Sequence, residues 1–418
     1  MATRPADRLK AAPWLLLLCA GAALAFALAS PALVVGDSPG YLEPARAWAA
    51  GQGLRESNGQ PLQYRLPLFP LALGVTLRLF GEDPRAFTLM NVAFLALAAL
   101  VVRHALRPRG RGLADAAAAA ILLYPPLLTS TALVLQESLL SLTIAVLFVL
   151  AGRAMEGSSA GRSLAAGAAL GVAALGKPTV LPVGLALVAL IAATRRRVWV
   201  RAGAFALGGA LVLAPWMVRN RQVLGRFEIT TGNAGHTLLG GTVSNRIENW
   251  FAFPEYVEAR REWEQGAAAG EGTLDSHLAR VALRRIAAHP LRWLGLCAER
   301  ALRFMLPART WFVQAGYSQT GTFGPFYLAA TAINVALFAL AAWLLAHARR
   351  RRDLALLVAP VIVFGHLAVY ALVYASPRYG VTVGPVLIAA AGLALDEMRR
   401  GAQSPRATPL AEPAPSGR

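Results

Sequence analysis

The stretch "LPLFPLALGVTLRLF", residues Leu66 to Phe80, decides how this chain crosses a membrane. It is apolar but short for a bilayer span, it carries Arg78, and it has prolines near its start. If it spanned, the basic segment Arg103–Gly112 would lie outside and every later helix would be inverted. If it forms an interfacial or re-entrant helix, the basic clusters gather on one side, as the positive-inside rule expects. We therefore predict that this stretch does not span.

The composition is that of a polytopic membrane protein. Of the 418 residues, 56% are hydrophobic and 15% are charged, whereas soluble proteins carry about 25% charged residues. We predict an all-α domain over residues 1–398 and a disordered cytoplasmic tail over residues 399–418. Apolar runs predict about ten transmembrane helices, near Pro13–Val35, Ala86–Val102, Leu113–Leu135, Ser138–Met155, Ser163–Gly176, Thr179–Thr194, Ala202–Val218, Gly324–Ala346, Leu354–Tyr374 and Gly380–Asp396.

The net charge of +19 could suggest nucleic acid, but its distribution points to a membrane surface. With Leu66–Phe80 outside the count, one side of the membrane carries the larger basic excess, which predicts cytoplasmic termini in a plasma (inner) membrane. There the arginines anchor helices at the lipid headgroups, so we exclude nucleic acid as a partner. The clusters are the N-terminus, Arg103–Arg111, Arg153–Arg162, Arg195–Arg201, Arg349–Arg352 and the C-terminal tail.

The opposite side receives the remaining polar groups. A first outer loop, residues 36–85, opens with "GDSPGYLEPARAWAAGQG" and contains Asp37. A long outer loop, residues 219–323, has apolar residues and tryptophans at helical spacing against arginine and glutamate, which predicts helices lying in the interface. Glu137, Lys177 and Arg378 also fall at outer helix ends, so one membrane face collects them all.

These segments carry a family resemblance. The chain resembles the GT-C membrane glycosyltransferases, in particular the branch of protein O-mannosyltransferases and aminoarabinose transferases. The matching pieces occur in the family's order over most of the chain: "GDSPGYLEPARAWAAGQG", "YRLPLFPLALGVTLRLFGEDPRAF", "QESLL", "GKPTVLPV", "APWMVRNRQVLGRFEITTGNAGHTLLGG", "AAHPLRWL" and "SPRYGVTVGPVLIAAAG".

The resemblance implies a GT-C-type helix bundle with interfacial helices on the extracytoplasmic side. It also implies transfer of a sugar from a polyprenyl-phosphate carrier to an acceptor there, either a protein, a lipid or a cell-envelope glycan. Two positions depart from the family pattern. Many relatives have two adjacent acidic residues where this chain has Asp37 and Ser38, and some have "KPP" where this chain has "RLP" from Arg65.

Displacing a phosphate from an anomeric carbon needs a base on the acceptor and cations around the leaving phosphate. Asp37 is the candidate base, and Glu137 is a second catalytic candidate that could touch acceptor or sugar. Ordinary structural roles compete with both: Asp37 or Ser38 could cap a helix that begins at Pro39, and a carboxylate is favourable at the helix start of Glu137.

Cationic and aromatic side chains are the candidate substrate-binding groups. The resemblance places "RLP", "GKPT", "PWMVRN" and "PRY" at substrate-facing positions. We therefore expect the carrier phosphate to meet Arg65, Lys177, Arg219 and Arg378, although each could instead be an interfacial anchor. Further candidates are Tyr41, Tyr379 and His236, the last in a glycine-rich loop. His366 lies mid-span, and a helix–helix hydrogen bond is the expected role.

Two other function classes compete with the enzyme: a lipid-linked sugar flippase or transporter, and a non-catalytic partner in envelope assembly. A transporter predicts charges deep in several helices and inverted repeats, and neither is evident in the sequence. Cys19 and Cys297 are far apart without a Cys/His cluster, so neither a disulfide nor structural zinc is expected. No cofactor is certain, but Asp37 and Glu137 could recruit one divalent cation.

Overall fold

A computed structural model describes residues 13–229, 233–245, 253–267, 273–306, 324–374 and 376–403. The described chain is helical and contains no named strand, which confirms the predicted all-α class. The helices are α1 Pro13–Ala29, α2 Pro39–Ala49, α3 Leu68–Phe80, α4 Pro84–Leu106, α5 Arg111–Leu123, α6 Pro125–Ser130, α7 Glu137–Met155, α8 Ala160–Gly176, α9 Leu181–Ala193, α10 Val198–Leu224, α11 Ala234–Val243, α12 Pro254–Ala267, α13 Leu274–Ala288, α14 Pro290–Met305, α15 Gly324–Arg351, α16 Leu354–Leu372 and α17 Gly384–Gln403.

Six helices of the described chain are long and apolar enough to cross a bilayer: α4, α7, α10, α15, α16 and the segment that ends in α17. Shorter apolar helices are α1, α3, α8 and the segment Pro178–Ala193, which contains α9. Several bundle helices begin at side-chain caps that the sequence provides. Asp83 accepts a hydrogen bond from the amide of Arg85 at the start of α4, and Asp353 does the same for Leu356 at the start of α16.

The third predicted span, Leu113–Leu135, differs from the structure. It is divided into α5 and the six-residue α6, because Pro125 has no amide hydrogen to continue a helix and drives Tyr124 into an extended conformation. The 13 residues of α5 reach about 20 Å, less than the hydrocarbon thickness of about 30 Å. After α6 the chain continues without regular structure to the start of α7.

Most of the stretch Leu66–Phe80 forms helix α3, which has 13 residues and is therefore as short as α5. It packs against α2 in the same direction, since Tyr41 and Phe69 meet near the starts of the two helices and the Arg78 guanidinium lies 4.3 Å from the Trp48 ring near their ends. Arg78 also donates hydrogen bonds to the carbonyls of Trp48 and Ala49. The basic residue near the end of the stretch is thus used to join two short helices. That α3 does not span stays a prediction.

The main apolar core is formed by residues of the bundle helices. Within it, the backbones of α8 and α10 approach each other closely. A Cβ atom at Gly167 of α8 would overlap the carbonyl of Phe205, and one at Gly208 of α10 would overlap the carbonyl of Leu164. Small residues at such a crossing let two membrane helices approach backbone to backbone.

Gly208→Ala is therefore expected to destabilise the protein, by about 1–3 kcal/mol if it behaves as an overpacked core. Gly203→Ala on the same helix is the matched control, because a Cβ there meets no atom within 4 Å. Thermal unfolding of the purified variants in detergent measures both. Equal unfolding temperatures for the two variants would contradict the close packing.

Helices α11 to α14 belong to the predicted long outer loop and are called the outer helices below. Three of them, α11, α12 and α13, share a small core formed by Leu239, Tyr256, Ala259, Leu278 and Ala282. α14 buries Arg300 and Phe304 against the bundle and leaves Leu291, Leu294 and Leu302 exposed on its other side. An exposed leucine strip beside buried polar contacts is the pattern expected of an interfacial helix.

Arg300 connects these outer helices to the bundle. Its guanidinium is fully buried and donates hydrogen bonds to the carbonyls of Gly241, in α11, and Val373, just after α16, both at 2.7 Å. Both cysteines are free, as the sequence indicates. His366 is buried and its Nδ1 lies 2.8 Å from the carbonyl of Ile362 on its own helix, so the helix–helix hydrogen bond expected for it is replaced by one within α16.

Candidate active site

Two segments without regular structure run side by side and bring Asp37 towards Glu137. The amide of Leu33 donates to the carbonyl of Ala132 at 2.9 Å, and the amide of Val134 donates to the carbonyl of Leu33 at 3.0 Å. Asn91 of α4 donates from its side chain to the carbonyls of Thr131 and Leu133 and so fixes the second segment. The chain that leaves α1 and the chain that enters α7 therefore share one backbone platform.

Asp37 lies in the turn between this platform and α2. Ser38 is at the N-cap position of α2 but makes no side-chain cap; its hydroxyl instead accepts a hydrogen bond from the amide of Val35 at 2.9 Å. Asp37 does not cap the helix either, because its carboxylate is used elsewhere. The capping alternative is therefore wrong for both residues, and the aspartate is left with contacts to distant parts of the chain.

Two arginines hold the Asp37 carboxylate, one on each oxygen. Arg65 Nη2 donates to Oδ1 at 2.7 Å, and Arg378 Nη2 donates to Oδ2. Burial alone would raise the pKa of Asp37, but the guanidinium groups of Arg378 and Arg65 outweigh it and hold the pKa well below its usual range. Asp37 is thus ionised at any ordinary pH and is a weak proton acceptor while both arginines hold it.

Glu137 is the second carboxylate of the cluster and begins α7. Its side chain is almost fully buried, and its Oε1 lies 3.5 Å from Nε of Arg378. The other oxygen, Oε2, is buried and has no hydrogen-bond partner among the described residues. Arg378 therefore lies between the two acidic groups and contacts both.

Lys177 supplies a third cation at the end of α8. Its Nζ lies 3.2 Å from the ring centre of Tyr379 and 5.1 Å from that of Tyr370. Burial lowers the pKa of Lys177 to about 7, and the charge of Glu137 opposes that shift. An anion that binds nearby would favour the charged ammonium form of the lysine.

Aromatic rings make cation–π contacts with the cations of the cluster. The Arg65 guanidinium lies 4.8 Å from the ring of Tyr41, and Gly40 leaves room for it, since a Cβ at Gly40 would be 3.0 Å from Arg65 Nε. Tyr379 stacks on Tyr370 at 4.8 Å. Cation–π contacts of this kind hold a charge in place without neutralising it.

The structure brings together seven of the nine candidate residues: Asp37, Tyr41, Arg65, Glu137, Lys177, Arg378 and Tyr379. Arg219 has a different set of contacts. It donates to the carbonyl of Leu62 at 2.8 Å and lies 4.8 Å from the Trp216 ring, so it fixes the loop that leads to Arg65.

His236, the ninth candidate, belongs to the outer helices. Its Nδ1 lies 3.1 Å from Asp275 in α13, and its Nε2 lies 2.9 Å from the hydroxyl of Tyr256 in α12. Asp275 also accepts the amide hydrogens of Gly235 and His236, at the first turn of α11. These contacts assemble the outer helices, and a role for His236 in substrate binding stays a prediction.

Sequence reasoning missed Tyr370, whose hydroxyl lies 2.9 Å from that of Thr179 and whose ring supports Tyr379. The signal was present, since Tyr370 follows His366 by one helical turn in the same apolar span. As for metals, the described residues contain no group of three or more His, Cys, Asp or Glu side chains. The cation that contacts both Asp37 and Glu137 is the Arg378 guanidinium. Recruitment of a divalent cation by the two carboxylates stays a prediction.

Part of the chain is similar to a known protein family. Residues 60–218 match the family of dolichyl-phosphate-mannose-protein mannosyltransferases. The resemblance to glycosyltransferases that the sequence motifs indicate is thereby confirmed over this range. The mannosyltransferase match contains Arg65, Glu137 and Lys177, whereas Asp37 precedes it and Arg378 follows it.

Two solved structures are loosely similar to most of the chain. The crystal structure of ArnT from Cupriavidus metallidurans bound to undecaprenyl phosphate has a TM-score of 0.44 and 18% identity, covering 92% of this chain and 79% of that one. The same protein in the apo state has a TM-score of 0.44 and 20% identity, covering 92% of this chain and 78% of that one. No curated protein matches the chain.

Proposed function

We propose that the protein is an integral membrane glycosyltransferase that transfers a sugar from a polyprenyl-phosphate carrier to an extracytoplasmic acceptor. The observation that carries the proposal is the cluster itself: the guanidinium groups of Arg65 and Arg378, with Lys177 nearby, converge on two carboxylates at the ends of apolar helices. The mannosyltransferase match over residues 60–218 supports the same reaction class.

In the proposed reaction the cations hold the carrier phosphate and Asp37 faces the acceptor. The acceptor oxygen attacks the anomeric carbon, and the bond from that carbon to the phosphate oxygen breaks. The phosphate leaves with the electron pair beside Arg65 and Arg378, and the hydroxyl proton passes to Asp37. The leaving group is already a stable anion, so no separate acid is needed. A single displacement of this kind inverts the anomeric configuration.

Incubation of the purified protein with radiolabelled polyprenyl-phosphate sugars and native membranes tests the proposal. We expect labelled sugar to appear on an acceptor, with free polyprenyl phosphate released in equal amount and the opposite anomer in the product. A flippase would instead move the intact lipid across a proteoliposome bilayer without consuming it. Lipid movement without sugar transfer over the whole panel would contradict the enzyme and favour the transporter.

The proposed site must face the extracytoplasmic side, and the charge distribution makes a testable prediction about that orientation. With cytoplasmic termini and α3 at the outer surface, an impermeant thiol reagent applied to intact cells should label a cysteine placed at Asp83. It should leave a cysteine at Arg109 unlabelled until the cells are lysed. Labelling of the Arg109 site in intact cells would reverse the topology and put the cluster on the wrong side for this reaction.

A further inference from the structure

The Asp37 carboxylate lies where an anion would bind. Each of its oxygens takes one guanidinium hydrogen bond, from Arg65 on one side and Arg378 on the other. Two guanidinium groups that converge on one small anion are the usual protein arrangement for a phosphate. In the structure the anion between them is a side chain of the protein itself.

We propose that Asp37 is a stand-in for the carrier phosphate: the arriving phosphate displaces the carboxylate from Arg65 and Arg378, and the displaced carboxylate becomes the base for the acceptor. The proposal rests on the proposed function. It adds an order to the reaction, because the acceptor meets a competent base only after the donor has bound.

Both arginines have contacts besides Asp37 that hold them in place, as expected of a site preformed for an anion. Arg65 lies over the Tyr41 ring beside Gly40, and Arg378 is held by Glu137 and lies 5.4 Å from the Tyr379 ring. Removing the aspartate would therefore take the ion-pair partner from Arg65 and leave Arg378 paired with Glu137 alone.

The two carboxylates differ in their freedom to move. The Asp37 side chain is one-third exposed and lies in a turn between α1 and α2, where a change of rotamer alone can release it. Glu137 is 4% exposed and is enclosed at the start of α7. Glu137 therefore remains the permanent counter-charge of Arg378, and Asp37 is the exchangeable one.

The exchange accounts for how a strongly ion-paired carboxylate can act as a base. While the guanidinium groups of Arg378 and Arg65 hold the carboxylate, they keep the pKa of Asp37 well below its usual range, which makes it a poor proton acceptor. Once a phosphate takes over those hydrogen bonds, the carboxylate regains its basicity beside the anomeric carbon. The base thus becomes competent only when the donor is in place.

Carrier binding to Asp37→Asn tests the exchange directly. The probe is polyprenyl phosphate without a sugar, titrated into the full-length protein in detergent micelles. We expect the variant to bind on the order of tenfold more tightly than the wild type, since the competing anion is gone and tenfold corresponds to the loss of a modest charge pair. Glu82→Gln is the matched control, because Glu82 forms an exposed ion pair with Arg46 outside the cluster.

A second measurement uses the wild-type protein and needs no variant to fold. Carboxyl groups are labelled with a water-soluble carbodiimide and an amine, and the sites are read by mass spectrometry. We expect polyprenyl phosphate to increase labelling of Asp37 and to leave Glu137 unlabelled, whereas a ligand that merely covered the site would protect Asp37.

The outcomes separate the two proposals. A wild-type protein that binds polyprenyl phosphate, together with an Asp37→Asn variant that binds it equally or less tightly, overturns the exchange and leaves the proposed function standing. Protection of Asp37 by the carrier overturns it in the same way. A wild-type protein that neither binds polyprenyl phosphate nor transfers sugar overturns the proposed function and the exchange together.

Discussion

Asp37→Asn is expected to abolish sugar transfer while the protein still folds and inserts. The amide has the size of the carboxylate and can still accept a hydrogen bond from one arginine, but it cannot take a proton from the acceptor. Loss of a positioned general base costs on the order of 10²–10⁴ in rate. Because Asp37 does not cap α2, the substitution removes no helix-capping interaction. The measurement is the initial transfer rate at saturating donor.

The expected pattern is a large fall in kcat without weaker carrier binding. Glu82→Gln, which removes an exposed ion pair with Arg46, should transfer at the wild-type rate. Turnover of Asp37→Asn close to the wild-type rate would eliminate Asp37 as the base. The role would then pass to Glu137, whose Oε2 is buried without a hydrogen-bond partner in the described structure.

Arg378→Ala is expected to remove almost all use of the carrier. The guanidinium contacts both Asp37 and Glu137, so its loss takes a cation from the proposed phosphate site and removes the salt-bridge partner of Glu137. Truncating one partner of a buried, hydrogen-bonded charge pair costs about 2–5 kcal/mol, which is roughly 30-fold to several thousand-fold in affinity. The measurement is the dependence of rate on carrier concentration.

Arg378→Lys should lie between the alanine variant and the wild type, because an ammonium keeps the charge but cannot contact two anions with one planar fork. Arg400→Ala is the control: Arg400 is an exposed arginine at the far end of α17 and pairs with Asp396 on the same helix. Thermal unfolding separates a binding defect from a folding defect. A carrier dependence in Arg378→Ala equal to that of the wild type would exclude Arg378 from the phosphate site.

The sequence predicted the bundle well because its signals are local. Long apolar runs fix where α4, α7, α10, α15 and α16 lie, and side chains such as Asp83 and Asp353 set where helices begin. The continuous helix expected over Leu113–Leu135 is divided for a local reason too, since Pro125 interrupts the helix inside a long apolar run.

The candidate site was predictable as a set but not as an arrangement. Counting the predicted spans placed Asp37, Glu137, Lys177 and Arg378 on one predicted membrane face, and the structure brings the four side chains together. That Asp37 is held between Arg65 and Arg378 depends on contacts between segments 28 and 341 residues apart, and no sequence periodicity encodes such a pairing. The same holds for Arg300, which reads as one more surface arginine of an amphipathic helix and is fully buried.

The backbone pairing of Leu33 with Ala132 and Val134 has a consequence for anyone who would redesign the protein. It joins the residues that precede Asp37 to the residues that precede Glu137, whereas Arg65, Lys177 and Arg378 lie on three other segments of the chain. Substitutions in these paired segments would displace Asp37 and Glu137 together, so we expect most of them to give inactive protein. The segments that carry Arg65, Lys177 and Arg378 can be varied one at a time. A library aimed at a new donor should therefore diversify these segments and leave residues 31–37 and 131–137 unchanged.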